Sequence, residues 1–455
     1  MTSPRHIAVI DIGKTNAKLA LVDAATLAEI DVTTRPNKVL PGPPWPHFDV
    51  EGHWAFLLEA LGRMHRQHGI DAISVTTHGA AGVLLAEDGS LAAPMLDYEH
   101  DGPESVAEAY DALRPPFEET GSPRLPGGLN LGAQLHWMLE ADPGLRERAA
   151  HIVTYPQFWG HRLTGQLATD VTSLGCHTDL WNPWAGTPSS LAERLGIADK
   201  LAPARHSSDI LGAITGEVAG RTGLAPGTPV ACGIHDSNAS LYPHLAGREA
   251  PFSVVSTGTW VICMAVGAAP RRLDPGRDTL VNVDARGGAV PSARFMGGRE
   301  FEMIREGASA TPTGADRAAV EEGLFLLPAI AAGTGPFAGR AGGFTAEPAT
   351  PGERMLALSW YLALMTDICL GLIGAEGPTI VEGPFARNDD YLQMLAALRP
   401  GGVEASASAT GTSTGGALLF LPDYVEAPQR RVEPQEAEAL RAYAGRWRQL
   451  VDGGG

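Results

Sequence analysis

Two stretches of the chain share the same order of apolar and polar positions. In the first, residues 7–10 are apolar, a polar loop containing Gly13 follows, and residues 17–22 are largely apolar again. In the second, residues 253–255 and 260–266 flank the small loop Ser-Thr-Gly-Thr. Apolar runs on both sides of a glycine-bearing loop predict a β-hairpin. The return of this arrangement in the second half predicts two related domains.

The length of the chain also favours two or more domains. It has 455 residues, whereas a single domain usually has about 100–200. The second hairpin begins soon after residue 245, so we place the boundary within residues 245–251. We therefore predict one domain at residues 1–247 and a second at residues 251–455.

Apolar periodicity predicts further elements of both kinds. The longest apolar stretch, residues 355–374, contains Asp367, which favours a buried core helix over a membrane span. Other predicted helices lie at residues 54–64, at 134–140, and at 417–421 after the small-residue run 410–416. Predicted strands lie at residues 27–32, 73–76, 231–233 and 379–381.

Charge and cysteine content narrow the class of protein. The formal net charge is -18 at pH 7, and such a surface repels nucleic acid and anionic lipid, so neither is expected as a partner. ATP is not excluded, because a local basic site can hold a nucleotide. The four cysteines have no metal-type or redox-type spacing, and no secretory signal precedes Asp11. We therefore expect reduced thiols and a cytoplasmic location.

The loop of the first hairpin has the chemistry of a phosphate site. Gly13 permits a close backbone approach, Thr15 and Asn16 offer hydrogen-bond donors, and Lys14 and Lys18 are two of only four lysines in the chain. A strand follows the loop, which excludes the P-loop and the dinucleotide fingerprint, since both require a helix there. The alternative is an ordinary turn between two strands.

Two carboxylates could complete such a site. Asp11, at the end of the first strand, could orient a hydrated Mg²⁺, which takes few protein carboxylates. Asp236 lies alone among small residues after a predicted strand, where it could act as the base that phosphoryl transfer to an alcohol requires. The alternative for Asp236 is a helix cap, and the alternative for His235 is a packed side chain.

These segments together resemble the FGGY family of carbohydrate kinases over nearly the whole chain. DIGKTNAKLALVD is similar to the family's first phosphate motif, in which threonine is common where Lys14 stands. SVTTHGAAGVLL resembles the segment whose histidine-glycine pair touches the sugar, which implies His78 and Gly79. PMLDYEHDG resembles a loop that usually contains Asp-x-Arg; this chain has Asp97, and Glu99 replaces the arginine.

Later segments extend the resemblance. LTGQLATDVTSLGCHTDLWN is similar to the family's Leu-Thr-Gly segment and the stretch after it. LFLLPAIAAGTGPF is similar to a segment of the second domain. TIVEGPFARNDDYLQMLAALRP resembles the adenosine-binding strand and helix. The family usually has a run of glycines there, of which this chain retains Gly383. The pair Asn130 and Gln134, the run His-Asp-Ser at 235–237 and the run Ser-Thr-Gly-Thr-Trp at 256–260 resemble the rhamnulose and fuculose kinase branch.

The resemblance implies two actin-like (ribonuclease H-like) ATPase domains of the α/β class with an interdomain cleft. ATP and Mg²⁺ are the implied cofactors, with Asp236 as catalytic base and as a metal ligand with Asp11. The sugar is expected at His78, Gly79, Asp97, Tyr98, Asn130, Gln134, His235 and Asp236. ATP is expected at Gly13, Lys14, Thr15, Asn16, Lys18, Gly258, Thr259, Gly297 and Gly383.

The function expected from the resemblance is ATP-dependent phosphorylation of a ketose or deoxy-ketose such as L-rhamnulose or L-fuculose. Alternative acceptors are pentuloses such as xylulose and ribulose, and polyols. Two other classes stay open, namely a non-catalytic actin-like regulator that binds nucleotide and an actin-fold ATPase that acts on a protein. The oligomeric state is left open, and a homodimer is one alternative.

Overall fold

The computed structural model describes residues 3–406 and 411–453, which form two compact units. The first unit contains Met1–Arg248 together with Val281–Ala289 and Thr410–Glu426. The second contains Glu249–Leu280, Val290–Ala409 and Ala427–Gly455. The chain therefore passes to the second unit within the predicted boundary segment, but two later segments belong to the first unit. Position 410, where the small-residue run begins, lies outside the described residues.

The strands follow one another along the described chain as follows: β1 (His6–Ile12), β2 (Asn16–Asp23), β3 (Glu29–Pro36), β4 (Val39–Leu40), β5 (His47–Phe48), β6 (Ala72–Thr77), β7 (Gly82–Leu85), β8 (His151–Thr154), β9 (Thr169–Asp170), β10 (Trp181–Asn182), β11 (Thr187–Pro188), β12 (Ala204–Arg205), β13 (Ile210–Ala213), β14 (Pro229–Ala231), β15 (Ile234–His235), β16 (Phe252–Thr257), β17 (Val261–Val266), β18 (Thr279–Val283), β19 (Ala289–Phe295), β20 (Leu326–Leu327), β21 (Gly343–Phe344), β22 (Thr379–Glu382), β23 (Val403–Ala405) and β24 (Arg430–Val432).

The α-helices, in the same order, are α1 (Val50–His68), α2 (Ala107–Leu113), α3 (Phe117–Thr120), α4 (Leu131–Ala141), α5 (Leu145–Arg148), α6 (Tyr155–Thr164), α7 (Val171–Leu174), α8 (Ser190–Arg194), α9 (Gly216–Thr222), α10 (Asp236–Gly247), α11 (Gly297–Arg305), α12 (Gly314–Gly323), α13 (Pro351–Leu372), α14 (Asp389–Leu398), α15 (Thr412–Leu418) and α16 (Ala437–Gly453).

The first unit is built on a mixed sheet in the order β13-β14-β6-β1-β2-β3, with β15 also paired to β6. The predicted hairpin is confirmed: β1 and β2 are antiparallel, and Asp11 faces Lys18 across them. On its other side β1 runs parallel to β6, and nearly all of its residues are buried. A strand with helices on both faces needs such a continuous apolar run.

The second unit repeats this arrangement in strands of the order β19-β17-β16-β22-β23-β24. Strands β16 and β17 form the second predicted hairpin, and β16 runs parallel to β22 as β1 runs parallel to β6. The next strand outward is also parallel in each sheet, β14 beside β6 and β23 beside β22. The two units are thus related in strand order, as the sequence pattern predicted.

The helix predicted at residues 54–64 is the middle of the longer α1. Its N-terminus is capped by Asp49, whose side chain accepts a hydrogen bond from the backbone N–H of Gly52. Trp54, Leu57 and Leu61 are buried on one face in the core of the first unit. Burial of each such side chain stabilises the fold by about 1.5–3 kcal/mol, so the amphipathic period explains why this segment is helical.

Helix α13 is the one helix among residues 3–406 and 411–453 whose length and composition would allow it to cross a membrane. In the structure, 72% of its most apolar stretch is buried. It begins at a capping residue, Thr350, and has apolar side chains around its whole circumference in the interior of the second unit. A helix that is apolar all round packs in a core, which confirms the buried helix predicted here.

Helix α15 differs from the prediction. We expected a helix at residues 417–421, but α15 begins at Thr412, inside the small-residue run. The reason is close packing in the first unit: a Cβ atom on Gly415 would lie 1.7 Å from the backbone oxygen of Ala239, and one on Gly416 would lie 2.6 Å from a methyl group of Val9. Small residues let this helix approach α10 and β1, a long-range effect that helix propensity does not report.

Candidate active site

The carboxyl ends of three parallel strands meet at one edge of the first unit's sheet. Asp11 on β1 is in register with Thr76 on β6, and Thr76 is in register with Ile234 on β15. His78 follows β6 directly, and Asp236 follows β15 directly. Strand ends of open α/β sheets are common ligand sites, because loops there carry polar side chains outside the hydrogen-bonded ladder.

Asp11 is a half-buried carboxylate with two polar neighbours. Its side chain accepts a hydrogen bond from the Thr412 hydroxyl and lies 3.5 Å from the Lys18 ammonium group. Burial raises the pKa of Asp11, the nearby carboxylate of Asp236 raises it further, and Thr412 and Lys18 oppose both effects. Asp11 and Asp236 are therefore close enough to repel each other.

A divalent cation fits this pair of carboxylates by charge and by ligand type. Mg²⁺ prefers oxygen ligands, keeps several of its waters and takes only one or two protein carboxylates. Among the described residues, no group of three or more histidine, cysteine, aspartate or glutamate side chains could hold a metal ion. A metal here would therefore need water or substrate oxygens for its other positions.

Asp236 is the first residue of α10, and the N-cap position belongs to His235, whose side chain makes no capping hydrogen bond. One carboxylate oxygen of Asp236 accepts a hydrogen bond of 2.6 Å from the backbone N–H of Ser237. The side chain is 32% exposed, so it remains accessible to a ligand. Asp236 therefore stands at the first helical position and not at the N-cap, although its carboxylate does accept a hydrogen bond from one backbone N–H of the first turn.

His235 is buried between a thiol and a carboxylate. Its Nε2 atom lies 3.5 Å from Cys176 Sγ and 3.1 Å from an oxygen of Asp236. Burial alone would lower the pKa of His235, but Cys176 and Asp236 outweigh it and raise the pKa to about 9. Burial also opposes ionisation of Cys176, yet His177 and His235 lower the pKa of its thiol to about 5. His235 therefore carries a positive charge beside Asp236 at neutral pH.

Gly79 allows this cluster to form. A Cβ atom at this position would lie 2.7 Å from His235 Nε2 and 3.2 Å from Cys176 Sγ. Any side chain would therefore push the imidazole away from its partners. Gly79 thus has a steric role beside His235, and its contact with the sugar stays a prediction.

His78 has one ring nitrogen with no hydrogen-bond partner. Its Nδ1 lies 2.8 Å from the backbone oxygen of Gly79, so Nδ1 carries the proton and Nε2 is an acceptor. The ring is 7% exposed, and Nε2 has no partner in the structure. Burial lowers the pKa of His78, which keeps the ring neutral. A buried acceptor without a donor is costly unless a ligand supplies one.

The rings around His78 belong to three other segments. Its centroid lies 5.2 Å from those of Phe48 and Tyr98, and 5.1 Å from that of Tyr155. Burial, together with nearby carboxylates, raises the pKa of Tyr98 to about 12. The predicted sugar residues His78 and Tyr98 therefore share one aromatic cluster.

Lys14 lies with the predicted sugar residues. Its ammonium group pairs with Asp97 and lies 3.1 Å from a carboxylate oxygen of Glu99. It also lies 4.6 Å from the centroid of the Tyr98 ring and 5.3 Å from that of Phe48. The sequence assigned this lysine to ATP, whereas the structure gives it partners on the loop after residue 96.

Asn130 and Gln134 are buried, and their amides bind the surrounding chain. The Nδ2 of Asn130 donates to the backbone oxygens of Pro123 and His177, and its Oδ1 accepts from the backbone N–H of Leu125. The Nε2 of Gln134 donates to the backbone oxygens of Ala80 and Gly128. These two amides hold in place the loops that carry Ala80 and His177.

The first hairpin loop is a tight turn held from outside by Asn37. The backbone N–H of Gly13 donates to Asn16 across the turn, and Asn37 Nδ2 donates to the Gly13 carbonyl at 2.8 Å. Thr15 and Asn16 are exposed at the tip. Lys18 lies on β2, 3.2 Å from Glu29 and next to Asp11. The Asn16 amide donates to the Thr15 hydroxyl at 3.3 Å, so the loop presents an exposed hydroxyl and amide of the kind that a phosphate site uses.

The predicted ATP residues of the second unit converge on its own hairpin loop. A Cβ atom on Gly298, next to Gly297, would lie 2.0 Å from the Gly258 oxygen, and one on Gly383 would lie 2.1 Å from the Thr257 oxygen. A cavity of about 680 Å³ adjoins these glycines. Its lining consists of Gly258, Thr259, Met296, Gly298, Arg299, Phe301, Glu302, Pro384, Phe385, Arg387 and Asn388.

Several residues of these sites were missed from the sequence. Phe301 and Phe385, with ring centroids 5.9 Å apart, line the cavity, but isolated phenylalanines give no signal in a single sequence. Thr412 contacts Asp11 from 401 positions away. The adjacent pair Cys176 and His177 could have been noticed, because a thiol beside a histidine is a reactive combination.

Comparison with known proteins identifies the family of the chain. Residues 6–242 match the N-terminal domain of the FGGY family of carbohydrate kinases, and residues 249–430 match the C-terminal domain of carbohydrate kinase FGGY. A carbohydrate kinase from Novosphingobium aromaticivorans is 38% identical in sequence, with a TM-score of 0.91 over 99% of both chains. The fold prediction, two actin-like α/β domains, is confirmed.

Two more distant relatives resemble part of the chain. L-fuculokinase of Escherichia coli (strain K12) is 26% identical over 316 residues, which cover 66% of this chain and 65% of that protein. A rhamnulokinase of Klebsiella pneumoniae is 25% identical over 315 residues, 65% of this chain and 60% of that protein. The matched region is thus less than two thirds of the length of either relative. The two domain matches and the full-length similarity show that the chain belongs to the FGGY family of carbohydrate kinases.

Proposed function

We propose that this protein transfers the γ-phosphoryl group of ATP to a hydroxyl of a ketose or deoxy-ketose of the L-fuculose or L-rhamnulose type. The observation that carries the proposal is the set of groups at the strand ends of the first unit. There the accessible carboxylate of Asp236 lies near a second carboxylate, Asp11, and near His78, whose buried Nε2 lacks a donor. A sugar hydroxyl is a donor of the required kind.

In the proposed reaction Asp236 accepts the proton of the attacking hydroxyl. The positive His235 and the Ser237 N–H hold its carboxylate in place, so the base is oriented before the sugar binds. General-base catalysis of this type contributes about 10²–10⁴-fold to the rate. His78 Nε2 accepts a hydrogen bond from another sugar hydroxyl and so fixes which hydroxyl meets the base.

Asp11 and Asp236 would hold the Mg²⁺ that accompanies ATP, and this ion would neutralise charge on the phosphoryl oxygens. Lys18 stays paired with Asp11 and keeps it oriented. The backbone of the first loop, with the exposed Thr15 and Asn16, offers donors to phosphate. Asn130 and Gln134 would stabilise the sugar site indirectly, because their amides bind the loops that carry Ala80 and His177.

The nucleotide would be held by the second unit. The cavity beside Gly258 is large enough for an adenine and ribose, and it has phenylalanine rings for the base. Gly298 and Gly383 allow the backbone to pack closely against the hairpin loop beside the cavity, where a side chain would collide with it. The domains at residues 1–247 and 251–455 would accordingly serve sugar and nucleotide.

The choice of a ketose rests on resemblance. The fuculose and rhamnulose kinase branch is resembled by the runs at 235–237 and 256–260 and by the spacing of Asn130 and Gln134. The two relatives that match part of the chain are named L-fuculokinase and rhamnulokinase. A cytoplasmic location fits the four cysteines, which are all free and buried. Pentuloses and polyols are the alternative acceptors.

A coupled assay of ADP release over ketoses, deoxy-ketoses, pentuloses and polyols tests the proposal. We expect release that depends on L-fuculose-type or L-rhamnulose-type ketoses. Activity on polyols alone would contradict the acceptor while leaving the kinase in place. A protein that binds ATP but releases no ADP with any sugar, and whose melting temperature no sugar raises, would instead be the non-catalytic regulator or an ATPase acting on a protein.

A further inference from the structure

The ammonium group of Lys14 is neutralised by two carboxylates. It pairs with Asp97 and lies 3.1 Å from Glu99, and one cation therefore faces two anions. Its side chain is 23% exposed and extends over the faces of Tyr98 and Phe48. Because two carboxylates already neutralise its charge, Lys14 offers a phosphate little electrostatic attraction in this arrangement.

The same two rings contact the buried acceptor of the site. Phe48 and Tyr98 each lie 5.2 Å from the ring of His78, whose Nε2 has no partner and which is 7% exposed. Lys14 therefore shares its surroundings with His78, and both Asp97 and Tyr98 were assigned to the sugar from the sequence. Lys14 belongs with the acceptor rather than with the nucleotide.

The charges also decide which acceptors can bind. Asp97 and Glu99 add two negative charges to those of Asp11 and Asp236, whereas Lys14 and Lys18 supply two positive ones that are already paired. A carboxylate on the substrate would meet these like charges, and the nearby cations, including His235 beside Asp236, are already paired with carboxylates, which costs binding energy. Hydroxyl groups, in contrast, find acceptors in Glu99 and Asp97.

We propose that Lys14, Asp97 and Glu99 form a charged clasp that determines acceptor specificity, and that the clasp selects uncharged polyhydroxylated sugars against sugar acids. This inference rests on the proposed kinase function. It also accounts for two departures from the usual motifs together. Lys14 replaces a common threonine, and Glu99 replaces a usual arginine, so the cation is on the first hairpin loop and not on the loop after residue 96.

Charge-swap variants test the clasp. We expect Lys14→Glu, which places three carboxylates together, and Glu99→Lys each to raise KM for the sugar about 10-fold or more. The double variant keeps the net charge, and we expect it to return KM to within about threefold of the original value. KM for ATP should change less than about threefold throughout. The matched control is the exposed pair Glu217 and Arg221, whose swap should change neither constant.

Lys14→Met provides a second variant that keeps the apolar stem against the rings, should a charge swap prevent folding. It should raise KM for the sugar and leave KM for ATP unchanged. Glu99→Lys should also raise kcat/KM for an aldonic acid relative to the neutral ketose about 10-fold. A rise in KM for ATP with unchanged KM for the sugar, a double variant no better than the singles, or an unchanged acid-to-ketose ratio would overturn the clasp.

The kinase proposal and the clasp can fail separately. If the unmodified protein released no ADP with any sugar, the kinase proposal would fail. The role of Lys14 would then be tested by measuring nucleotide binding. Titration calorimetry with Mg-ADP would support the clasp if Lys14→Met bound as tightly as the unmodified protein. Weaker binding of Mg-ADP or Mg-ATP by this variant would make Lys14 a nucleotide ligand and overturn it.

Discussion

The Nε2 atom of His235 lies 3.1 Å from a carboxylate oxygen of Asp236, the residue that follows it in the chain. Strand β15 ends at His235 and helix α10 begins at Asp236, so the backbone changes direction between them and both side chains turn to one side. Cys176 Sγ lies 3.5 Å from the same nitrogen, and the amide of Asn238 lies 3.4 Å from Nδ1 on the other side of the ring. The result is an accessible carboxylate with a fixed orientation, the arrangement that a general base requires.

Replacing Asp236 with asparagine should abolish most turnover. Asparagine has nearly the same shape but cannot accept the hydroxyl proton, so kcat should fall about 10²–10⁴-fold while the sugar and ATP still bind. Coupled ADP release and sugar titration measure the two effects. The control is Asp389→Asn, because Asp389 is also the first residue of a helix but is exposed. Near-normal turnover of Asp236→Asn would remove the residue from its proposed role.

The unpartnered nitrogen of His78 should affect binding of the sugar and not binding of ATP. His78→Phe keeps the ring contacts and removes the acceptor, so we expect KM for the sugar to rise about 10-fold or more, equivalent to roughly one lost hydrogen bond, with KM for ATP unchanged. His136 is a matched control, since it is also buried and both of its ring nitrogens lack partners. If His136→Phe had the same effect, the loss would be one of packing.

The cavity in the second unit should determine nucleotide affinity. Phe301→Ala removes an apolar ring from its lining, and we expect KM for ATP to rise about 10-fold with KM for the sugar unchanged. Phe344→Ala is the control, because Phe344 is similarly half-buried and also lies under an arginine but outside the cavity. Equal effects of both substitutions on ATP would show that the cavity is not the nucleotide site.

His53 should make the first unit sensitive to acid. It is fully buried, its Nδ1 accepts a hydrogen bond from Arg35, and its Nε2 donates to Asn37, which holds the Gly13 loop. Burial, with a smaller effect of Arg35, lowers the pKa of His53 from 6.5 to about 4. The unfolded chain therefore binds a proton at higher pH than the folded one, and stability falls as pH decreases from about 6.5 towards 4.

His53→Gln keeps a donor towards Asn37 and cannot titrate. The melting temperature of this variant should fall less steeply between pH 6.5 and 5 than that of the unmodified protein. His206→Gln, at an exposed position, should leave the slope unchanged. Identical slopes for His53→Gln and the unmodified protein would show that another group controls the acid sensitivity.

The sequence alone determined the local architecture and the candidate chemistry. Both hairpins, α1 and the strand that precedes His78 follow from periods of apolar residues, because each period depends only on neighbours in the chain. Asp11, His78 and Asp236 could be found because each lies within about three residues of the end of a predicted strand. The resemblance to carbohydrate kinases then assigned them to one reaction.

Only the tertiary structure decided which of these groups are partners. Lys14 pairs with Asp97 and Glu99, more than eighty positions away, and Thr412 returns to Asp11. The small-residue run became the helix α15 because it packs closely on α10 and β1, which no local propensity records. Such contacts join segments far apart in the chain, and their energies depend on burial and distance, which exist only after the sheet has formed.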